Sequence, residues 1–126
     1  MILPCLYIAP THSMGRGVFT SENIEVGTVV EESPVIVMTG AERKFLDQTI
    51  LHDYIFEWGE KKDQCCMALG YVPVYNHSYK SNCEYEMDFD AELIKITLVI
   101  TAKIDKKPKA NFLFIFSSSR INNLIV

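Results

Sequence analysis

The chain has 126 residues, 48% of them hydrophobic and 22% charged, which is enough for one domain with a core that needs no staple to hold it. A formal charge of −4 at pH 7 gives no general attraction to nucleic acid and better suits a basic peptide or a small cation. No apolar stretch reaches the ~20 residues that span a bilayer, so neither direct nucleic-acid binding nor a membrane partner is expected.

The N-terminal MILPCLYIAP is apolar but has no basic segment before it, so no signal peptide is expected. Residues 5–9 (CLYIA) read as a short strand and Gly17–Phe19 as another. In TVVEESPVIVM, residues 28–38, two β-branched runs are separated by Glu31-Glu32 and Pro34, a pattern of strand, break, strand. Gly27 is a turn position ahead of the first run.

Between Ala41 and Glu60 the pattern changes. Phe45, Leu46, Ile50, Leu51, Tyr54, Ile55 and Trp58 recur at three- and four-residue intervals, which predicts helix, with Asp47 as an internal cap and Gly59 as terminator. Asp53-Tyr54-Ile55-Phe56 reads equally well as a short extended piece. Further on, Glu84–Phe89 alternates, Leu93–Thr101 is a strong β run, and Asp88 to Ala91 fits a hairpin connection. From Lys103 onward, basic, apolar and Ser/Asn-rich blocks alternate. The sum is a single, mostly-β domain with short helices.

The four cysteines are Cys5, Cys65, Cys66 and Cys83. Adjacent Cys65 and Cys66 do not supply a C-x2-C pair, so no structural metal is expected. Free thiols in a reducing compartment, and hence a cytoplasmic location, fit the pattern.

Three groups of residues invite a chemical reading. Gly15-Arg16-Gly17 enters a strand, where paired glycines make either a tight turn or a close backbone approach to a ligand. The third glycine of a dinucleotide fingerprint is missing. Asn76-His77-Ser78, with Asn82 beyond, ends an apolar run; it is either a hydrogen-bonding turn or half of a ligand site. The aromatic set Tyr54, Phe56, Trp58, Tyr71, Tyr75 and Tyr79 could line a cleft for an ammonium or sulfonium group, although core packing is the better account of Phe56, Trp58 and Tyr75. Glu84, Glu86, Asp88, Asp90 and Glu92 read as a solvated face or an attraction for a basic peptide.

Together these motifs resemble a known family. Gly15-Arg16-Gly17-Val18-Phe19 followed by Ile24-Glu25-Val26-Gly27-Thr28-Val29-Val30-Glu31-Glu32 looks like the start of a SET domain. Met67-Ala68-Leu69-Gly70-Tyr71, then Tyr75-Asn76-His77-Ser78 and Asn82, resembles its asparagine-histidine-serine segment. His52-Asp53-Tyr54-Ile55-Phe56 resembles the insert of minimal SET proteins from bacteria and large DNA viruses. Any one piece is unspecific; the ordered set, from about Cys5 to Thr101, is not.

The resemblance implies a knotted (β-clip) arrangement of small sheets in which the asparagine-histidine segment threads a loop made by the C-terminal part. It implies transfer of a methyl group from S-adenosylmethionine to a protein lysine, with cofactor and substrate entering from opposite faces. Gly15, Arg16 and Gly17 would lie along the methionine portion of the cofactor. Asn76 and His77 would hold its amino group and adenine, while Tyr54 and Tyr71 would border the lysine. An in-line displacement of this kind gains much of its rate from alignment, and an apolar aromatic channel favours the neutral amine. The chemistry needs no metal, and minimal relatives can form homodimers.

The chain departs from the family pattern in places. Val72-Pro73 replaces a turn that usually holds a small residue, and Tyr79 and Ser81 stand where cysteine and proline are preferred. Lys109-Ala110-Asn111 replaces the glycine-glutamate segment, and in the same register Phe116 falls at the position of the family's catalytic tyrosine, keeping the ring without the hydroxyl. Genuine divergence or a shifted reading frame would each produce such a tail over about 103–126. Two alternatives to a working enzyme follow: a non-catalytic module for lysine-rich peptides, and a chain whose knot is left unclosed.

Overall fold

A computed structural model of the chain describes residues 1–78, 81–100 and 112–115, with Leu113 the described side chain of the last stretch. In chain order the elements are β1 (Leu6–Pro10), β2 (Arg16–Thr20), β3 (Val29–Met38), α1 (Gly40–Leu46), a 3₁₀ turn at Ile50–Asp53, β4 (Phe56–Trp58), β5 (Gln64–Ala68), a second 3₁₀ turn at Val72–Val74, β6 (Asn76–His77), β7 (Cys83–Asp88), β8 (Leu93–Leu98) and β9 (Phe112–Ile115). The strands run β1-β2-β9-β7-β8-β3-β5-β4, with β6 attached to β9.

β7 and β8 form the most regular pair, in antiparallel register from Cys83↔Leu98 to Asp88↔Leu93. On β8, Ile94, Ile96 and Leu98 are buried while Leu93, Lys95 and Thr97 are half-exposed, the period of two that a strand with one face on a core requires. Each of the three contributes about 1.5–3 kcal/mol through burial. The intervening turn is fastened by the Ala91 N–H donating to Asp88 Oδ1 at 2.8 Å. Glu84, Glu86 and Asp88 point to solvent, as a solvated face requires.

β3 corrects the reading of strand, break, strand. It is one ten-residue strand that changes partners: Val29–Pro34 pairs with β8, and Val35–Met38 pairs with β5. Pro34 stands at the change-over, where the chain passes from one pairing to the next. Between Val29 and Glu31 the register slips, because β3 advances two residues while β8 advances one. This bulge lets consecutive side chains point the same way, and Val30 and Glu31 are both fully buried.

The predicted helix over 41–60 is much shorter. α1 is closed by a capping box in which Thr39 Oγ1 accepts from the Glu42 N–H at 3.1 Å and Glu42 Oε2 accepts from the Thr39 N–H at 2.7 Å. Asp47 is its C-cap. Ile55, Phe56 and Trp58 are buried, with Phe56 and Trp58 in a strand, so tertiary burial overrode the helical spacing. Gly59, at φ 92°, turns the chain after that strand.

The divergent tail still supplies a strand. β9 lies antiparallel to β2 (Val18↔Leu113) and parallel to β6 (Asn76↔Phe114, His77↔Ile115) and β7 (Cys83↔Ile115). Leu113 is fully buried in the main core with Val18, Val30, Tyr75 and Ile96. The C-terminal strand thus docks beside Asn76 and His77, while Lys109-Ala110-Asn111 lies outside the described residues.

Candidate active site

The Gly15–Gly17 and Asn76–His77 motifs are 60 residues apart in sequence and meet in space. A loop at 11–15 joins β1 to β2. Within it the Thr11 N–H donates to the Gly15 carbonyl at 2.6 Å and the Met14 N–H to Thr11 Oγ1 at 2.8 Å. Gly15 turns the chain at φ 67°, where a side chain would be strained. The next carbonyl, on Arg16, accepts from Asn76 Nδ2 at 3.1 Å. That bond fixes the Asn76 amide plane at the lip of a cleft.

The cleft is lined by Met14, Arg16, Asp53, Tyr54, Pro73, Val74, Tyr75 and Asn76 and encloses about 150 Å³. Small-molecule pockets usually start near ~300 Å³, so the cleft formed by the described residues is smaller than a cofactor-sized pocket. Tyr54 is brought here as the residue that ends the first 3₁₀ turn, its N–H donating to the Leu51 carbonyl at 2.9 Å. Gly17 follows inside β2 and is buried. The His77 ring is half-buried and tilted against Phe56, with centroids 6.5 Å apart. Tyr71 begins the second 3₁₀ turn, next to the cleft-lining residues Pro73 and Val74. Phe56, Trp58 and Tyr75 are core residues. Phe116, Tyr79 and Lys109-Ala110-Asn111 lie outside the described residues.

Two acidic residues were not singled out from sequence. Asp53 lines the same cleft as Arg16; its position immediately before Tyr54 was the available signal. Glu31 was read as strand punctuation, yet it has 0% exposure. Its Oε1 accepts from Ser33 Oγ and from the Tyr71 N–H, both at 2.7 Å, and the carboxyl also interacts with the buried Tyr75 hydroxyl. Burial pushes the Glu31 carboxyl above the ordinary value of 4.5, against the opposing effect of these hydrogen bonds. Burial likewise raises the Tyr75 hydroxyl, and the neighbouring Glu31 adds to the effect.

All four cysteines are free thiols, and Cys65, Cys66 and Cys83 are buried. Desolvation pushes Cys66 and Cys83 up to about 12 from 9.0, so both remain unreactive thiols at neutral pH. Among the described residues there is no cluster of three His, Cys, Asp or Glu side chains placed to hold a metal ion. Among them, too, no helix is long and apolar enough to cross a membrane.

A β-rich chain whose glycine turn is tied to an asparagine-histidine strand beside a C-terminal strand fits one family. The SET domain model matches residues 15–110, and the chain belongs to the SET-domain family. A histone-lysine N-methyltransferase of Schizosaccharomyces pombe, H3 lysine-37 specific, is 36% identical over 84 residues, which are 66% of this chain and 56% of that protein. The chain thus spans little more than half the length of this relative.

Two solved structures share the fold. A Plasmodium falciparum protein assigned as a histone methyltransferase superposes with a TM-score of 0.65 at 22% identity, over 91% of this chain and 94% of that one. Polycomb Repressive Complex 2 of Chaetomium thermophilum, autoinhibited and bound to S-adenosylmethionine, gives a TM-score of 0.67 at 19% identity, over 89% of this chain and 14% of that one.

Proposed function

We propose that this chain transfers a methyl group from S-adenosylmethionine to a lysine side chain of a protein. The observation that carries this reading is the Asn76 Nδ2 bond to the Arg16 carbonyl, which joins the family's two cofactor motifs into one cleft. The available parts suit the cofactor: a glycine turn that exposes backbone, an amide held in a fixed plane, a guanidinium and a carboxylate in the same cleft. When bound, the cofactor supplies an activated methyl on a sulfonium.

The chain's own residues bind and align. Gly15–Gly17 and Asn76 hold the methionine end, and His77, set against Phe56, supports the adenine. Tyr54 and Tyr71 flank the incoming lysine, where aromatic faces attract its cation and an apolar channel favours its neutral form. A histone is the natural substrate class to try first, given the relative's specificity. Four free thiols support a reducing compartment, and we place the protein in the cytoplasm on that ground.

The test is calorimetric titration with S-adenosylmethionine, followed by transfer of labelled methyl to a lysine-rich peptide. Saturable binding and lysine-dependent label are the expected result. No binding at millimolar cofactor overturns the reading, and binding without transfer leaves the non-catalytic peptide module.

A further inference from the structure

Glu31 has no part in the scheme above, yet it is fully buried and closely enclosed. The bulge at Val29–Glu31 turns its side chain inward. One oxygen then takes two hydrogen bonds, from the Tyr71 N–H on the turn and from Ser33 Oγ on its own strand. The backbone of Gly70 is pressed so close that a Cβ there would collide with Glu31 Oε1 and Ser33 Oγ and lie 3.3 Å from Ile2 Cδ1. The Tyr75 hydroxyl interacts with the same carboxyl from the far end of the turn.

The residues at the two ends of this arrangement are chemically distinct. Tyr71 is on the lysine side of the proposed site. Tyr75 immediately precedes Asn76, whose amide reaches Arg16 on the cofactor side. A single buried carboxyl therefore holds the Tyr71 end of this segment by a hydrogen bond and influences the Tyr75 hydroxyl at its other end.

We propose that Glu31 is a positioning residue: by accepting from the Tyr71 N–H beside the buried Tyr75 hydroxyl, it sets the distance between the Tyr71 ring and the Asn76 amide. The proposal rests on the methyl-transfer reading for the roles of Tyr71 and Asn76, but not for the geometry of the turn. An in-line transfer is sensitive to that distance, since small misplacements of aligned groups cost large factors in rate.

The experiment compares Glu31→Gln, Glu31→Asp and Glu31→Ala with the parent chain. It measures S-adenosylmethionine affinity by calorimetry and amide hydrogen exchange over residues 71–77, with the β7–β8 amides as internal reference. Glutamine keeps an acceptor for Tyr71 N–H and Ser33 Oγ, and its amide can donate to Tyr75, so affinity within threefold of parent and native exchange are expected. Alanine should weaken the cofactor at least tenfold and speed exchange across 71–77 at least tenfold while β7–β8 stays protected. Aspartate, which retains the carboxyl but retracts it by one methylene, should act in the same direction and serves if the alanine variant does not fold.

Unchanged affinity and exchange in a folded Ala or Asp variant overturn the proposal. So does a Gln variant as impaired as Ala, because the role would then not be that of a hydrogen-bonding spacer. If the parent itself fails to bind the cofactor, the methyl-transfer reading falls, and the exchange data alone decide whether Glu31 sets the turn.

Discussion

Two segments carry the tyrosines assigned to the proposed lysine side, Tyr54 and Tyr71, and they are held in opposite ways. Tyr54 lies near the end of the insert between β3 and β4, whose helix, α1, has no fully buried residue; Phe45 is 74% exposed and Ile50 is also exposed. Apart from half-buried Leu46 packing on Ile55 and Cys65, what holds the insert is peripheral: the Thr39–Glu42 capping box, Arg43 within 3.6 Å of Asp47 and 3.9 Å of Glu57, and His52 Nδ1 at 2.9 Å from Asp47. Tyr71 begins a turn fastened to a buried carboxyl and followed by Val72 and Tyr75, both fully buried. Exposed ion pairs contribute little, whereas buried hydrogen bonds are costly to break. Of the two tyrosine-bearing segments, one is thus free to adjust and the other is fixed.

The largest test of the fixed segment is Gly70→Ala. The new Cβ meets Glu31 and Ser33 on a backbone at φ 68°. Left-handed strain of about 1–2 kcal/mol and overpacking of about 1–3 kcal/mol should lower stability by roughly 2–5 kcal/mol in urea unfolding. A loss below about 1 kcal/mol would mean that the turn yields, and the contrast with the insert would disappear. Next in size is Asn76→Ala, which breaks the tie to Arg16. Cofactor affinity should fall about tenfold, near 1.4 kcal/mol, in calorimetric titration; a variant that binds like the parent shows that the cofactor lies elsewhere.

How much of this was legible in the sequence differs between the same two regions. The β7–β8 hairpin and the strand at Arg16–Thr20 follow from alternation and from turn residues, because their pairing is local. Asn76 and Arg16 could be joined only through the family pattern, since no local rule connects residues 60 apart. Glu31 could not be read at all: a charged residue in a β-branched run looks like a break unless the bulge that turns it inward is known. The insert misled for a related reason. Ile55 and Trp58 keep helical spacing with Leu51 and Tyr54, but the burial of Phe56 and Trp58 against the core selects extended backbone. The tail was hardest, because β9 pairs with residues of β2 and β6 that are far away in sequence, and no local rule connects them.

The Glu31 clamp also has a pH signature. Its carboxyl is raised in the folded chain by burial, so above about pH 4.5 the unfolded chain loses a proton that the folded chain keeps. Stability from this group is full below the ordinary value and is lost as pH rises through the folded one. Urea unfolding of the parent and Glu31→Gln from pH 4 to pH 8 should therefore show the glutamine variant gaining relative to the parent as pH increases. A difference that is flat with pH would mean that Glu31 ionises in the folded chain as it does in the unfolded one.

The smallest effects belong to the insert, and they are the more discriminating for being small. Thr39→Ala removes both the side-chain acceptor for the Glu42 N–H and the anchor of the capping box, a change typically worth ~1 kcal/mol to a helix. Because α1 has no fully buried residue and meets the core only through half-buried Leu46, which packs against Ile55 and Cys65, most of that loss should fall on local opening rather than on global unfolding. Amides of Arg43 to Asp47 should exchange several-fold faster, while the β3–β8 amides and the urea midpoint change little. Phe45→Ser, on a side chain that touches water over most of its surface, should shift stability by no more than about 0.5 kcal/mol. If either substitution instead lowers the global midpoint as Gly70→Ala does, α1 packs against something that stabilises the whole domain, and Tyr54 stands on a segment as fixed as that of Tyr71.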